Sequence, residues 1–109
     1  MFFLHILIIG DGIVINSISI NEFIKIANTV NVIDLRRIES FNNGHIDGAR
    51  NAPFNQLIIS PDKYLKKEQN YYLYCSHGSK SLKACQILSR QGYHVFNILG
   101  GYEAWILAK

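Results

Sequence analysis

Three short apolar runs constrain the architecture most: Asn31–Leu35 (NVIDL), Tyr71–Cys75 (YYLYC) and His94–Ile98 (HVFNI). Each is rich in β-branched or aromatic residues and too short for a core helix, so each predicts a buried strand. Between them apolar residues recur at helical spacing. Phe23, Ile24, Ile26 and Ala27 give one face of a helix beginning near Glu22, with Ser19 or Asn21 as its cap. Leu82, Ala84, Cys85, Ile87 and Leu88 give another, closed by Gly92. Gly100-Gly101 leads into a last helix, YEAWILAK. Strands alternating with helices at this pitch predict an α/β fold, a mainly parallel central sheet flanked by helices. Ligands then bind beyond the C-terminal ends of the strands. Three elements converge there: Asp34-Leu35-Arg36, Cys75 and Gly100-Gly101.

The connections are less regular. Ile38 and Phe41 fit a short helical turn ended by Asn43-Gly44, and Ala49–Ala52 a short strand. The segment from Asn55 reads as helical or irregular, with Pro61-Asp62 starting a turn. The apolar N-terminus, MFFLHILIIGDGIVIN, predicts a hairpin of Phe2–Ile9 and Ile13–Ile15 around Gly10-Asp11-Gly12. A membrane helix needs about 20 apolar residues. Here His5 and the Gly-Asp-Gly break the run, and the basic n-region of a secretory signal is missing. Residues 1–17 are therefore expected to form an extension, a candidate dimer or docking element, ahead of a domain at 18–109. A membrane is not an expected partner.

Length and charge bound the function. A chain of 109 residues fits one domain. Its net charge of +3 is scattered, with Lys63, Lys66 and Lys67 as the sole cluster. That pattern argues against nucleic acid as partner and suits small anions. The two cysteines, Cys75 and Cys85, flank a helix start and form neither a CxxC pair nor a metal-ligand spacing. No disulfide framework or metal site is expected, and a reducing, cytoplasmic location is.

Cys75 ends a buried strand and is followed by Ser76-His77-Gly78-Ser79-Lys80-Ser81. A packing cysteine gives no reason for that loop. Small residues and a glycine let successive backbone N–H groups turn inward into a nest that opens on a helix N-terminus. Such a nest binds an anion, and if the anion is the sulfur itself the thiolate is favoured, with Lys80 and His77 adding positive charge. A cradled thiolate is a good nucleophile and an acceptable leaving group, which suits group transfer through a covalent intermediate.

Three motifs in order carry a resemblance to single-domain rhodaneses, the sulfurtransferase homology domain: VIDLRRIESFNNGHIDGARNAPF (Val32–Phe54), YCSHGSKS (Tyr74–Ser81) followed by GYHV (Gly92–Val95), and LGGYEAW (Leu99–Trp105). The match spans about residues 18 to 107. The resemblance implies a rhodanese-like fold in which Cys75 takes sulfane sulfur from thiosulfate or a similar small anionic donor. The resulting persulfide would pass its outer sulfur to cyanide, a thiol or a protein thiol. Backbone N–H groups from Ser76 to Ser81 would stabilise the sulfur anion. Related phosphatases and arsenate reductases use a loop one residue longer, whereas Cys75–Lys80 has the six-residue sulfurtransferase count. A sulfur carrier handing its persulfide to a protein partner and a non-catalytic interaction module are the other readings; non-catalytic modules usually lose the cysteine, and the resemblance implies no metal or organic cofactor.

The resemblance also frames single positions. Lys80 stands where the family often has arginine, keeping charge but losing the bidentate fork. Asp34 and Arg36 read as an ion pair holding the loop rather than as substrate contacts. Arg37 replaces an acid and is expected in solvent. His45 reads as structural, since a poised thiolate needs no general base. His77 is expected at the pocket mouth, Cys85 in the core, and Trp105 as an anchor for the last helix.

Overall fold

The structure is a computed structural model that describes residues 5–9 and 13–109, with side chains from residue 16 onward. Strands β1 (His5–Ile9) and β2 (Ile13–Ile18) pair antiparallel with Ile9 opposite Ile13, so the expected hairpin forms. Its second strand runs on from Ile15 to Ile18. Phe2–Leu4 and the expected turn at Gly10–Gly12 lie outside the described residues.

The remaining strands are β3 (Asn31–Asp34), β4 (Arg50–Asn51), β5 (Asn70–Tyr74) and β6 (His94–Ile98). They form one six-stranded sheet with β2 and β1 in the order β1-β2-β6-β5-β3-β4. Every pairing except β1–β2 is parallel. Ser17 lies opposite Asn97 and Ile18 opposite Ile98, so the hairpin joins the central sheet through β2.

Among the described residues five α-helices cover the two faces: α1 (Ile20–Ile26), α2 (Ile38–Asn43), α3 (Phe54–Ile59), α4 (Ser79–Arg90) and α5 (Gly101–Ala108). Ser19 is the cap of α1, its hydroxyl accepting from the Glu22 N–H at 3.2 Å. Alternate strand residues supply two cores. Ile33 and Leu73 pack with Leu57, Cys85 and Leu88. Val32, Tyr72 and Tyr74 pack with Phe23, Ile46 and Trp105 on the other face. A sheet buried on both faces explains why the strands read as unbroken apolar runs rather than alternating ones. Phe23 meets Trp105 edge-on at 6.1 Å, which ties α1 to α5. Among the described residues, no helix is long and apolar enough to cross a membrane.

Candidate active site

β3 and β5 end side by side. Asp34 is opposite Tyr74, and the Leu35 N–H donates to the Tyr74 carbonyl at 2.8 Å. The next residue of the β5 chain is Cys75, which is only 4% exposed. Its Sγ accepts from the Gly78 N–H at 3.2 Å and the Ser81 N–H at 3.4 Å. The Ser81 hydroxyl lies 3.6 Å away. Gly78 has φ +112°, a left-handed conformation that glycine adopts freely, and it leads directly into α4. The N–H groups of a helix start have no partner within the helix, and here those of Gly78 and Ser81 meet the sulfur instead.

A second helix holds the loop from behind. In the first turn of α5, Tyr102 N–H donates to the Cys75 carbonyl at 2.8 Å and Glu103 N–H to the Ser76 carbonyl at 3.1 Å. A Cβ at Gly101 would stand 2.4 Å from the Cys75 carbonyl oxygen. Gly101 thus has a steric cause, since only a bare backbone fits against the loop, whereas a Cβ at Gly100 would meet the Ala104 side chain.

Asp34, Arg36 and Tyr74 brace the strand ends. Asp34 is fully buried, and Arg36 reaches it through Nε at 3.1 Å and Nη2 at 2.8 Å. The Tyr74 hydroxyl donates to Asp34 Oδ2 at 2.6 Å and accepts from the Ile46 N–H at 3.1 Å. Arg36 Nη2 also donates to the Gly44 carbonyl, and its guanidinium sits 4.0 Å from the Tyr102 ring centroid. Burial works against the Arg36 charge, but the hydrogen bond to Asp34 and its negative charge outweigh that, so the guanidinium is held above its ordinary value. Burial, then the hydrogen bond to Asp34, pushes the Tyr74 phenol well up and keeps it a donor. The Nε and Nη2 hydrogen bonds of Arg36 go to Asp34 and the Gly44 carbonyl, while the residue also lines the cavity above Cys75.

A cavity of about 510 Å³ opens above Cys75. Ser76, His77, Ser79 and Lys80 line it from the loop, and Arg37, Phe54 and Gln56 from the connections after β3 and β4. The sequence-predicted residues therefore divide into two groups. Gly78 and Ser81 touch the sulfur, and the other four line the cavity above it. The His77 side chain is 72% exposed and lies 3.4 Å from Glu103, at the cavity mouth. Arg37 is largely solvated. His45 stacks on Phe41 at 3.8 Å with its Nδ1 2.8 Å from the Phe41 carbonyl, a structural position. Cys85 is fully buried, and burial followed by the neighbouring Cys75 pushes its thiol well up. Both cysteines are free.

Two contributors went unread in the sequence. On the α3 wall, Asn55 and Gln56 lie beyond the motif that ends at Phe54. Asn97, 2% exposed, meets the Ser81 hydroxyl at 2.6 Å, and its only signal was a polar residue inside the apolar run HVFNI.

A thiol held by backbone N–H groups at the end of a parallel strand defines a class of nucleophile-loop α/β domains, and comparison with known proteins narrows it. A family model described as the rhodanese-like domain matches residues 19–108. The chain is 35% identical over 91 residues to the thiosulfate sulfurtransferase GlpE of Shewanella oneidensis, covering 81% of this chain and 89% of that one. It is 30% identical over 92 residues to a sulfurtransferase of Allochromatium vinosum, covering 84% and 85%. Among solved structures, the rhodanese-related protein of Thermoplasma volcanium superposes with a TM-score of 0.78 at 27% identity, over 84% of this chain and 91% of that one. The chain belongs to the rhodanese-like domain family.

Proposed function

We propose that this protein is a sulfurtransferase that carries sulfane sulfur on Cys75, with thiosulfate or a similar small anion as donor. The observation that supports this best is the pair of backbone N–H donors, from Gly78 and Ser81, on the Sγ at the base of an open cavity. Donors so fixed stabilise negative charge on sulfur at no reorganisation cost.

The Cys75 thiolate attacks the sulfane sulfur of thiosulfate. The new S–S bond forms as the donor's S–S bond breaks, and sulfite leaves with the electron pair. The outer sulfur of the Cys75 persulfide then carries the negative charge. An acceptor nucleophile, cyanide or a thiolate, attacks that outer sulfur, and the Cys75 thiolate departs. No oxidant is consumed in either step. Lys80 at the cavity wall supplies positive charge for an anionic donor, and His77 lines the mouth beside it. The relatives named thiosulfate sulfurtransferase or sulfurtransferase agree with this chemistry.

The test is thiocyanate release from thiosulfate and cyanide by wild type and Cys75→Ser, with intact mass read after thiosulfate alone. The expected result is turnover lost in Cys75→Ser and one extra sulfur on wild type only. Loading without turnover favours a carrier that needs a protein-thiol acceptor. A wild-type thiol that takes sulfur from no donor overturns the reading in favour of a binding module.

A further inference from the structure

Among the described residues four polar side chains are fully buried or nearly so: Ser17, Asp34, Ser81 and Asn97. Asp34 belongs to the brace already described. Ser81 and Asn97 form a line that ends on the reactive sulfur. The Ser81 Oγ lies 2.6 Å from Asn97 Oδ1, 3.1 Å from the Gly78 carbonyl and 3.6 Å from Cys75 Sγ. A serine hydroxyl has one proton and two lone pairs. Three neighbours therefore compete for one donor.

The distances decide the competition. The Asn97 contact is the shortest and matches a strong O–H···O bond. The Gly78 carbonyl already accepts from the Leu82 N–H at 3.1 Å, so it does not need the hydroxyl. The proton goes to Asn97, and a lone pair of the Ser81 oxygen faces Sγ. That arrangement accepts an S–H and gives nothing to a sulfur anion. It opposes the two backbone N–H groups, which favour the anion.

We infer that Asn97 is a positioning residue that holds the Ser81 hydroxyl proton away from Cys75 and so restrains the nucleophile in the free protein. Freed from Asn97, the hydroxyl turns and donates to the sulfur, adding a third hydrogen bond to the anion. Charge-assisted bonds of this kind are stronger than the neutral ones they replace. The inference rests on Cys75 being the reactive thiol of the proposed function, but it requires no sulfur donor.

The experiment follows iodoacetamide alkylation of Cys75 by intact mass at fixed neutral pH. Four proteins are compared: wild type, Asn97→Leu, Ser81→Ala and the double variant. The charged groups around the sulfur are the same in all four: Lys80 and His77 from its own loop, Arg36 and Arg37 from the β3–α2 connection, and Glu103 from α5. Buried Cys85 is also unchanged, and Cys75→Ser reports any labelling of it. Asn97→Leu is expected to alkylate about tenfold faster and to gain ultraviolet thiolate absorbance. Ser81→Ala, which keeps the backbone N–H donor to the sulfur, sets the reference rate of a site without the hydroxyl. With Ser81→Ala in place, adding Asn97→Leu is expected to change the rate less than about twofold.

A purely structural role for Asn97 would not depend on the Ser81 hydroxyl. Slower or unchanged alkylation in a folded Asn97→Leu protein overturns the inference, as does equal acceleration in the Ser81→Ala background. Asn97→Val, a good strand former, is the second substitution should the leucine protein fail to fold. If alkylation follows the expected pattern and no donor loads sulfur, the inference stands and the sulfurtransferase reading falls. If sulfur loads and the pattern is absent, the reverse holds.

Discussion

Lys80 occupies the second position of α4 and lines the cavity above the sulfur. An ammonium there is a point charge on a flexible stem, so it attracts an anionic donor without fixing its orientation. Lys80→Ala is therefore expected to raise the KM for thiosulfate about tenfold while lowering kcat less, and Lys80→Arg to stay within about threefold of wild type in both. Thiocyanate release at varied thiosulfate measures this. A kcat loss with unchanged KM would place the charge on the transition state instead. The charged and nucleophilic residues of the site were legible because they interrupt a pattern: Cys75 to Ser81 breaks an apolar strand before a helix can start. The neutral supporting atoms were not. Ser81 and Asn97 are 16 positions apart, and Tyr74 and Asp34 are 40 apart. Nothing local marks a hydroxyl that finds its partner across the sheet.

At the scale of elements, the site is a joint between β5, α4 and α5. α4 supplies N–H groups to the sulfur, and α5 supplies N–H groups to the carbonyls of the same loop. The loop is thus held on both sides of its peptide plane. Gly101 is the point of closest approach, at φ +62°, with the Cys75 and Ser76 carbonyls inside van der Waals contact of any added Cβ. Gly101→Ala is expected to destabilise the protein on the order of 3 kcal/mol, from left-handed strain plus overpacking. Urea unfolding measures the loss, and faster alkylation of Cys85 in the folded variant would report an opened core. A change within about 0.5 kcal/mol would show that α5 can move away without cost. The element pattern itself was largely readable, since strand and helix periods differ and Ser19, Gly92 and Gly100-Gly101 punctuate them. Boundaries moved by a residue or two: α1 begins at Ile20 rather than near Glu22, and β4 keeps only Arg50–Asn51 of the expected Ala49–Ala52. α3 escaped a firm reading because its six residues carry too little period to separate a helix from an irregular connection.

Across the whole molecule, a sheet covered on both faces buries groups that ionise in alkali. Cys85 lies in the core shared by α3, α4 and the sheet, and Tyr72 and Tyr74 lie in the opposite core. Burial raises all three above their ordinary values, 9.0 for the thiol and 10.0 for the phenols. The sign follows from which state holds the proton. The folded protein keeps these groups neutral while the unfolded chain ionises at the ordinary value, so folding is favoured fully below that value and progressively less above it. The thiol acts first, because its ordinary value is lowest. Stability is therefore expected to hold from neutral pH to about pH 9 and to fall above it, by about 1.4 kcal/mol per pH unit for each group left neutral in the fold. Denaturant unfolding over that range measures the slope. Cys85→Ala removes one of the three groups. It lowers stability at neutral pH through the lost packing, and it makes the alkaline decline begin about one pH unit later, where the phenols take over. An onset unchanged in Cys85→Ala would assign the whole decline to the tyrosines, and with it would fall the claim that the core keeps the Cys85 thiol neutral.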